Sequence, residues 1–319
     1  MTVQEDLRVV EHEIGERGRV TVRLPEATVR LRAVDGPTVR GRVSGYDVEE
    51  SVRIQSVGPE FRIDAVDRWH GLGKGLLGAG THGSYDVELD VPRGAALTID
   101  LASGDVRAEG FQGEQRHRVT AGEIVLVDAG GTAVLEGVSA DLKVDAASDL
   151  ELRARTVSGD IRVGAALLSR LETATTSGQI NISGQLAAGV GHEASTLSGD
   201  IVLAVVGGLR VQTSTMTGDV RAEVEHRSEG RSGKRVLVVG DGAAEIVCKS
   251  MSGRIRVVGP AGQGASEAAS EQHAEAAAAE PDDELDDEPD RLAILLELER
   301  GEIDVTEASR RLGLVESER

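Results

Sequence analysis

Thr156-Val157-Ser158-Gly159-Asp160-Ile161-Arg162-Val163 decides how this chain is read, because variants of it return at a nearly fixed interval. They are Ser103-Gly104-Asp105-Val106, Ser177-Gly178-Gln179-Ile180, Ser198-Gly199-Asp200-Ile201, Thr217-Gly218-Asp219-Val220 and Ser252-Gly253-Arg254-Ile255. Each reads as a turn followed by a strand. Counted onward from Ser158, the steps are 19, 21 and 19 residues. Degenerate copies at Ala121-Gly122-Glu123-Ile124 and Ser139-Ala140-Asp141-Leu142 divide the stretch after Ser103 into steps of 18, 18 and 19. Self-similarity at this period predicts a β-solenoid of about 19 residues per coil. The last step, 35 residues, is close to two periods, so a diverged coil carrying the polar loop Ser228-Glu229-Gly230-Arg231-Ser232-Gly233 is expected in between.

Stacking the repeats gives columns. Two residues before each turn stand Thr156, Thr175, Thr196, Thr215 and Ser250. Four before stand Ala154, Thr173, Ala194, Thr213 and Cys248, and six before Leu152, Leu171, His192, Val211 and Ile246. Residues two apart share one face of a strand, so these columns form one inward face. Glu151, Arg153, Arg155, Glu172 and Glu193 fall between them and read as the solvent face. After the turn, Ile161 with Val163, Ile180 with Ile182 and Ile201 with Leu203 keep the period of two. A rung this short holds two or three strands of about 5 residues with tight turns. The coil is therefore narrow, which suits Thr, Ala and Ser inside it.

The 319 residues include 40 glycines and only one Trp, two Tyr and two Phe. Periodic Val, Ile and Leu supply the buried surface instead, and repeat proteins grow by adding rungs rather than by enlarging one core. The turns, the lead-in Tyr85-Asp86-Val87-Glu88-Leu89-Asp90-Val91-Pro92-Arg93-Gly94 and the C-terminal signature described below resemble a bacterial adhesin-like family of β-strand-repeat proteins of unknown function. The resemblance covers roughly residues 19 to 258. It implies a β-solenoid without established catalytic residues, and an association of some relatives with cell-envelope stress.

Residues 1–18 are an N-terminal lead-in with Val9, Val10 and Ile14 among charges. They lack a basic segment followed by an apolar run, and no run of 18 apolar residues occurs anywhere, so cytoplasmic residence is expected. The single cysteine, Cys248, excludes an intramolecular disulfide and reads as a core residue. In the repeat domain, residues 19–258, the first strands (Arg19–Leu24, Thr28–Arg32, Ser51–Gln55) alternate Arg outward with aliphatic residues inward, and Asp35-Gly36-Pro37 marks a turn. With Lys+Arg 35 against Asp+Glu 55, a net charge of −20, nucleic acid would be repelled.

The Gly-rich stretch 68–83 lacks the spacing of a phosphate loop, since Lys74 is followed by Gly75. It reads as a loop between strands; alternatively Trp69, Leu72, Leu76 and Leu77 beside Lys74 form a docking segment for a partner or a membrane surface. His70 and His82 have no cysteine or acid cluster to make a metal site. The turn acids Asp105, Asp160, Asp200 and Asp219 form a ladder, but the nonapeptide of calcium-binding solenoids is absent, so turn chemistry is expected rather than a metal. Polysaccharide-cleaving β-helices need clustered acids and usually aromatic platforms, and His117, His192 and His226 fall at unrelated repeat positions, so neither an enzyme nor a cofactor is predicted.

Residues 259–289 carry ten acids and no Lys or Arg, half of the net charge, and read as a disordered acidic linker. Residues 290–319 then turn helical: Leu292, Leu295, Leu296 and Glu299 share one face, Gly301 ends the helix, and Asp304 with Glu307 caps a second helix through Leu312. This short α-helical hairpin, with Glu299-Arg300-Gly301-Glu302-Ile303 and Thr306-Glu307-Ala308-Ser309-Arg310-Arg311-Leu312, resembles a module that accompanies the solenoid in relatives. About 30 residues cannot bury enough surface to stand alone. Leu292, Leu295, Leu296, Ile303, Val305 and Leu312 are therefore expected to meet a protein partner or a second copy, or else to cap the solenoid. The function expected is a non-enzymatic interaction scaffold linked to the envelope-stress response. The alternatives are an adhesin-like carbohydrate- or surface-binding module exported by another route and, third, a glycan-acting β-helix enzyme.

Overall fold

The period-two alternation holds along each strand and shifts at the corners, where Leu101 and Val106, or Val119 and Ile124, are the buried residues on either side of the turn. The structure is a computed structural model that describes residues 5–66, 84–231 and 234–259, all within the unit Met1–Gly264. The N-terminal part holds β1 (Glu5–Glu13), β2 (Arg19–Val34), β3 (Thr38–Tyr46), the short α1 (Val48–Ser51), β4 (Val52–Val57), β5 (Glu60–Ala65) and β6 (Tyr85–Pro92). The regular rungs are β7 (Ala96–Glu109), β8 (Glu114–Val127), β9 (Gly131–Arg155), β10 (Ile161–Ser177), β11 (Ile180–Leu186), β12 (Gly191–Ser198) and β13 (Ile201–Val205). The C-terminal part comprises β14 (Leu209–Thr215), β15 (Val220–Ala222), β16 (His226–Arg231), β17 (Lys234–Val239), β18 (Ala244–Ser252) and β19 (Ile255–Val257).

The described residues are nearly all β, stacked in parallel ladders as a solenoid-like sheet. β7 pairs with β8, β8 with β9 and β9 with β10 in parallel, with Ile99 beside His117 and His117 beside Leu135. Strands are longer than the expected 5 residues: β7 and β8 run 14 residues through their corners and β9 runs 25. In β7 and β8 the corner glycines Gly104 and Gly122 permit this, with φ of +125 and +137, while β9 passes its corner with Ala140; at the later corners the strand breaks, and the glycine serves the close approach of rungs. Gly199 has φ +154, and a Cβ placed on it would lie 1.9 Å from the carbonyl oxygen of Gly178 in the rung below. Glycine is thus required by the close approach of rungs as well as by the backbone angle.

The inward columns are buried, including Leu152, Leu171, Val211, Ile246 and Cys248. Full burial of one such aliphatic side chain contributes roughly 1.5–3 kcal/mol. Thr156, Thr175, Thr196 and Ser250 of the column near the corner are buried too, and two of the hydroxyls return hydrogen bonds to the rung below: Thr156 Oγ1 donates to Ala140 O at 3.0 Å and Thr175 Oγ1 to Gly159 O at 3.3 Å. At these two positions threonine fills a narrow corner while bonding a carbonyl there.

The diverged coil expected between Thr217 and Ser252 is not present, and the rungs do not stack in chain order. Instead β16 and β17 form an antiparallel hairpin, and β17 pairs antiparallel with β14. The rung β18–β19 lies between its predecessors: β18 is parallel to β12 on one side and to β14 on the other, and β19 is parallel to β13 and β15. A hairpin suits this sequence better than a coil, because His226-Arg227-Ser228-Glu229 offers no apolar face to bury, and all four residues are exposed.

The N-terminal end repeats the device. β2 is parallel to β7 on one side and to both β5 and β6 on the other. β3 and β4 then cover β6 and β5 antiparallel, while β1 pairs with β3, so residues 5–13 of the lead-in are a strand at the sheet edge. Of the few aromatics, Phe61, Tyr85 and Phe111 are buried, and Val48 of α1 is buried, as is Val52 at the start of β4.

Candidate interaction surface

The docking residues expected from sequence, Trp69, Leu72, Leu76, Leu77, Leu292, Leu295, Leu296, Ile303, Val305 and Leu312, all lie outside the described residues, as do the 68–83 loop, His70 and His82. What the described residues present is the outer surface of the rungs. Its chemistry follows from the alternation: whatever does not face the narrow interior faces solvent.

The turn acids are occupied by backbone. Each of four corner aspartates accepts a backbone N–H from the rung above: Asp105 Oδ1 from Glu123 at 3.1 Å, Asp141 from Asp160 at 2.8 Å, Asp160 from Gln179 at 2.8 Å and Asp200 from Arg254 at 2.8 Å. A carboxylate that accepts such a bond clamps one rung to the next. Among the described residues no group of three or more His, Cys, Asp or Glu could hold a metal ion.

The arginine-bearing strands carry matched acids. A shallow groove of about 590 Å³ is lined by Arg30, Arg32, Arg42 and Arg107 opposite Glu88 and Asp90, among others. Arg42 meets Glu88 at 2.6 Å, Arg30 meets Asp86 at 3.2 Å, and Arg107 meets Glu109 at 2.7 Å. More than a third of each of these side chains is exposed, so each pair is worth at most about 1 kcal/mol. Farther along, Glu172 bridges Arg153 and Arg155, whose hydrogen bonds hold its carboxyl below the usual range, and Arg118 pairs with Glu136.

Two titratable groups are displaced by burial. His117 is fully buried, its pKa lowered to about 4 by loss of hydration, and its ring meets the Gln115 side chain at 3.4 Å. Burial pushes the Cys248 thiol up to about 12, as befits a core residue. Sequence reasoning set His117 aside, yet it stands four residues before Ala121, in the same column as Ala154. The degenerate copy at Ala121-Gly122 was the signal that places it inside.

A feature the sequence columns did not single out lies at the corner itself. The residue just before each turn points outward; after Ala102 and Thr120 at the first two turns, this position holds in rung order Val138, Val157, Thr176, Leu197, Met251 and Met216. The apolar members are 47, 50, 46, 49 and 77% exposed. Successive strands are about 4.8 Å apart, so they form an apolar ladder parallel to the stack.

Comparison with known proteins bears on the fold. The family model described as Toastrack DUF4097 matches residues 78–258. No curated protein matches the chain. Among solved structures, a candidate cell adhesion protein from Clostridium sporogenes is 12% identical over 80% of this chain and 100% of its own, with a TM-score of 0.23. A candidate adhesin from Bacteroides fragilis is 10% identical over 80% of this chain and 98% of its own, with a TM-score of 0.42.

Proposed function

The chain belongs to the Toastrack DUF4097 family, and on that premise we propose that it is a non-enzymatic interaction scaffold serving the cell-envelope stress response that the sequence resemblance implies. The observation that carries this reading is the corner ladder of exposed Val138, Val157, Leu197, Met251 and Met216. Single exposed apolar residues are ordinary, but five aligned along one corner make a contact surface. The displaced titratable groups of the described core, His117 and Cys248, face the interior and do not meet in a cleft. Residues 290–319 act as a second, tethered contact through Leu292, Leu295, Leu296, Ile303, Val305 and Leu312, binding a protein partner or another copy.

The test is a quantitative pull-down from host lysate with three baits: the full chain, a chain ending at Pro289, and Val157→Ser/Leu197→Ser/Met251→Ser/Met216→Ser. The reading expects a partner whose recovery falls with one or both variants and which rebinds the full chain when purified. Identical partner lists from all three baits would overturn it.

A further inference from the structure

The two ends of the solenoid are finished differently. At the N-terminal end the outermost parallel strands, β5 and β6, are both covered, by β4 and β3. At the C-terminal end the outermost rung is β14 and β15, and only β14 is covered, by β17. β15 pairs with β19, and no ladder among the described residues lies on its other edge. The hairpin β16–β17 stands beside it as a wall two strands, or about 10 Å, high. Among the described residues, therefore, one half of a further rung is built and the other half is open.

The open half is equipped to pair. In the ladder with β19, Asp219 O accepts from Ile255 N at 2.9 Å and Glu223 N donates to Val257 O at 2.8 Å. Alternation then turns the N–H and C=O groups of Val220 and Ala222 toward the open edge. The clamp used lower in the stack recurs there: Asp219 occupies the position from which Asp105, Asp160 and Asp200 accept the N–H of the rung above. With no described rung above it, its carboxylate meets Arg221 Nε at 2.6 Å instead.

Side chains and charge narrow the occupant. Val220, Ala222, Val224 and Val239 are only partly buried against the end of the core. Next to them is a crevice of about 210 Å³ lined by Val205, Leu209, Val224, Val239 and Val257, among others. Outward, Asp219, Glu223 and Glu225 carry acidic charge around the single Arg221. A second copy paired antiparallel about Arg221 would set Asp219 opposite Glu223 of its partner, a like-charge contact that disfavours self-pairing.

We propose that the free edge of β15 accepts an extended peptide of alternating apolar and basic side chains, which adds a parallel or antiparallel strand and completes the half-built rung. Its main chain pairs with Val220 and Ala222, its apolar side chains continue the core toward the crevice, and its basic side chains meet Asp219 and Glu223. This deepens the scaffold reading and rests on it. Partner recovery through residues 290–319 does not involve this edge, so that reading can stand where this one fails.

The test uses the full chain and fluorescein-labelled Lys-Val-Lys-Val-Lys-Val, followed by fluorescence anisotropy. Controls are the same peptide N-methylated at alternate amides and Glu-Val-Glu-Val-Glu-Val. Ala222→Pro removes an edge N–H without touching the ladder to β19, and Glu223→Lys/Glu225→Lys reverses the charge should the proline variant fail to fold. Binding that weakens about tenfold or more with N-methylation and with either variant supports the proposal. Absence of binding, or equal binding of the N-methylated peptide and of both variants, overturns it. So does a dimer of the full chain that Ala222→Pro dissociates, since that outcome gives the edge to a second copy.

Discussion

Arg254 donates its backbone N–H to the Asp200 carboxylate at 2.8 Å, although 54 residues of chain separate them. The same bond in the middle of the stack joins neighbours about one period apart, as between Asp160 and Gln179. The corner clamp is thus indifferent to chain order. It joins whichever rungs are adjacent, and here the last rung of the described chain has been placed one level inside the stack.

Ending the chain at Ala243, which removes β18 and β19, consequently takes out an interior layer rather than an end. β14 would lose its parallel partner while keeping only the β17 hairpin. Amide exchange of a chain ending at Ala243 is expected to show lost protection at the alternate β14 amides that face β18, those of Arg210, Gln212 and Ser214, whereas deleting residues 226–239 should leave them protected. Retained protection of those three amides in the chain ending at Ala243 would contradict the interposed rung.

Gly199→Ala should destabilise by about 2 kcal/mol or more, because the new Cβ would need to displace the Gly178 carbonyl while holding a positive φ. Gly191→Ala is the control, since nothing lies within 4 Å of its Cβ position. Chemical denaturation of both variants measures the difference.

His117 makes stability depend on pH. Its folded pKa, about 4, lies below the unfolded value of 6.5, so the unfolded chain takes up the proton first. Stability is full above pH 6.5 and falls as pH drops toward 4. By linkage the loss between about pH 7.5 and about pH 5 is about 2 kcal/mol. Leu135 and Ile99 flank this position in register, so His117→Leu should fold and lose that part of the pH dependence. Parallel pH profiles of the two proteins would refute the assignment.

Cys248 should resist thiol reagents in the native state. Its thiol is fully buried and pushed up to about 12, leaving almost no thiolate at about pH 8. Reaction with an aromatic disulfide reagent is expected only at the rate of unfolding; immediate labelling would place this residue outside the core.

Local structure was legible in the sequence because turn and strand signals act over a few residues. The Ser-Gly-Asp corners, the Thr column and the aliphatic columns all face as their spacing requires. Rung order was not legible, for a physical reason: every rung offers its neighbour the same ladder of backbone groups and the same corner carbonyl. Nothing in Ser198-Gly199-Asp200 says whether Thr217 or Ser252 will lie on it. Ser228-Glu229-Gly230-Arg231-Ser232-Gly233 read only as a polar loop on a diverged coil, because the interval of 35 residues imitated two periods. For the contact surface, the position before each turn was visible as Val157, Leu197, Met216 and Met251. Its exposure became readable only once the corner's direction was known.

Disulfide trapping in a Cys248→Ser background tests the interposed rung most directly. Ser198 and Ser252 are register partners in neighbouring parallel strands, a separation of about 4.8 Å that a disulfide can span, whereas Thr217 lies a further rung away. Ser198→Cys/Ser252→Cys should therefore oxidise readily in the folded protein, and Ser198→Cys/Thr217→Cys should remain reduced. The opposite result would restore stacking in chain order, and with it the loss of the half-built edge at β15.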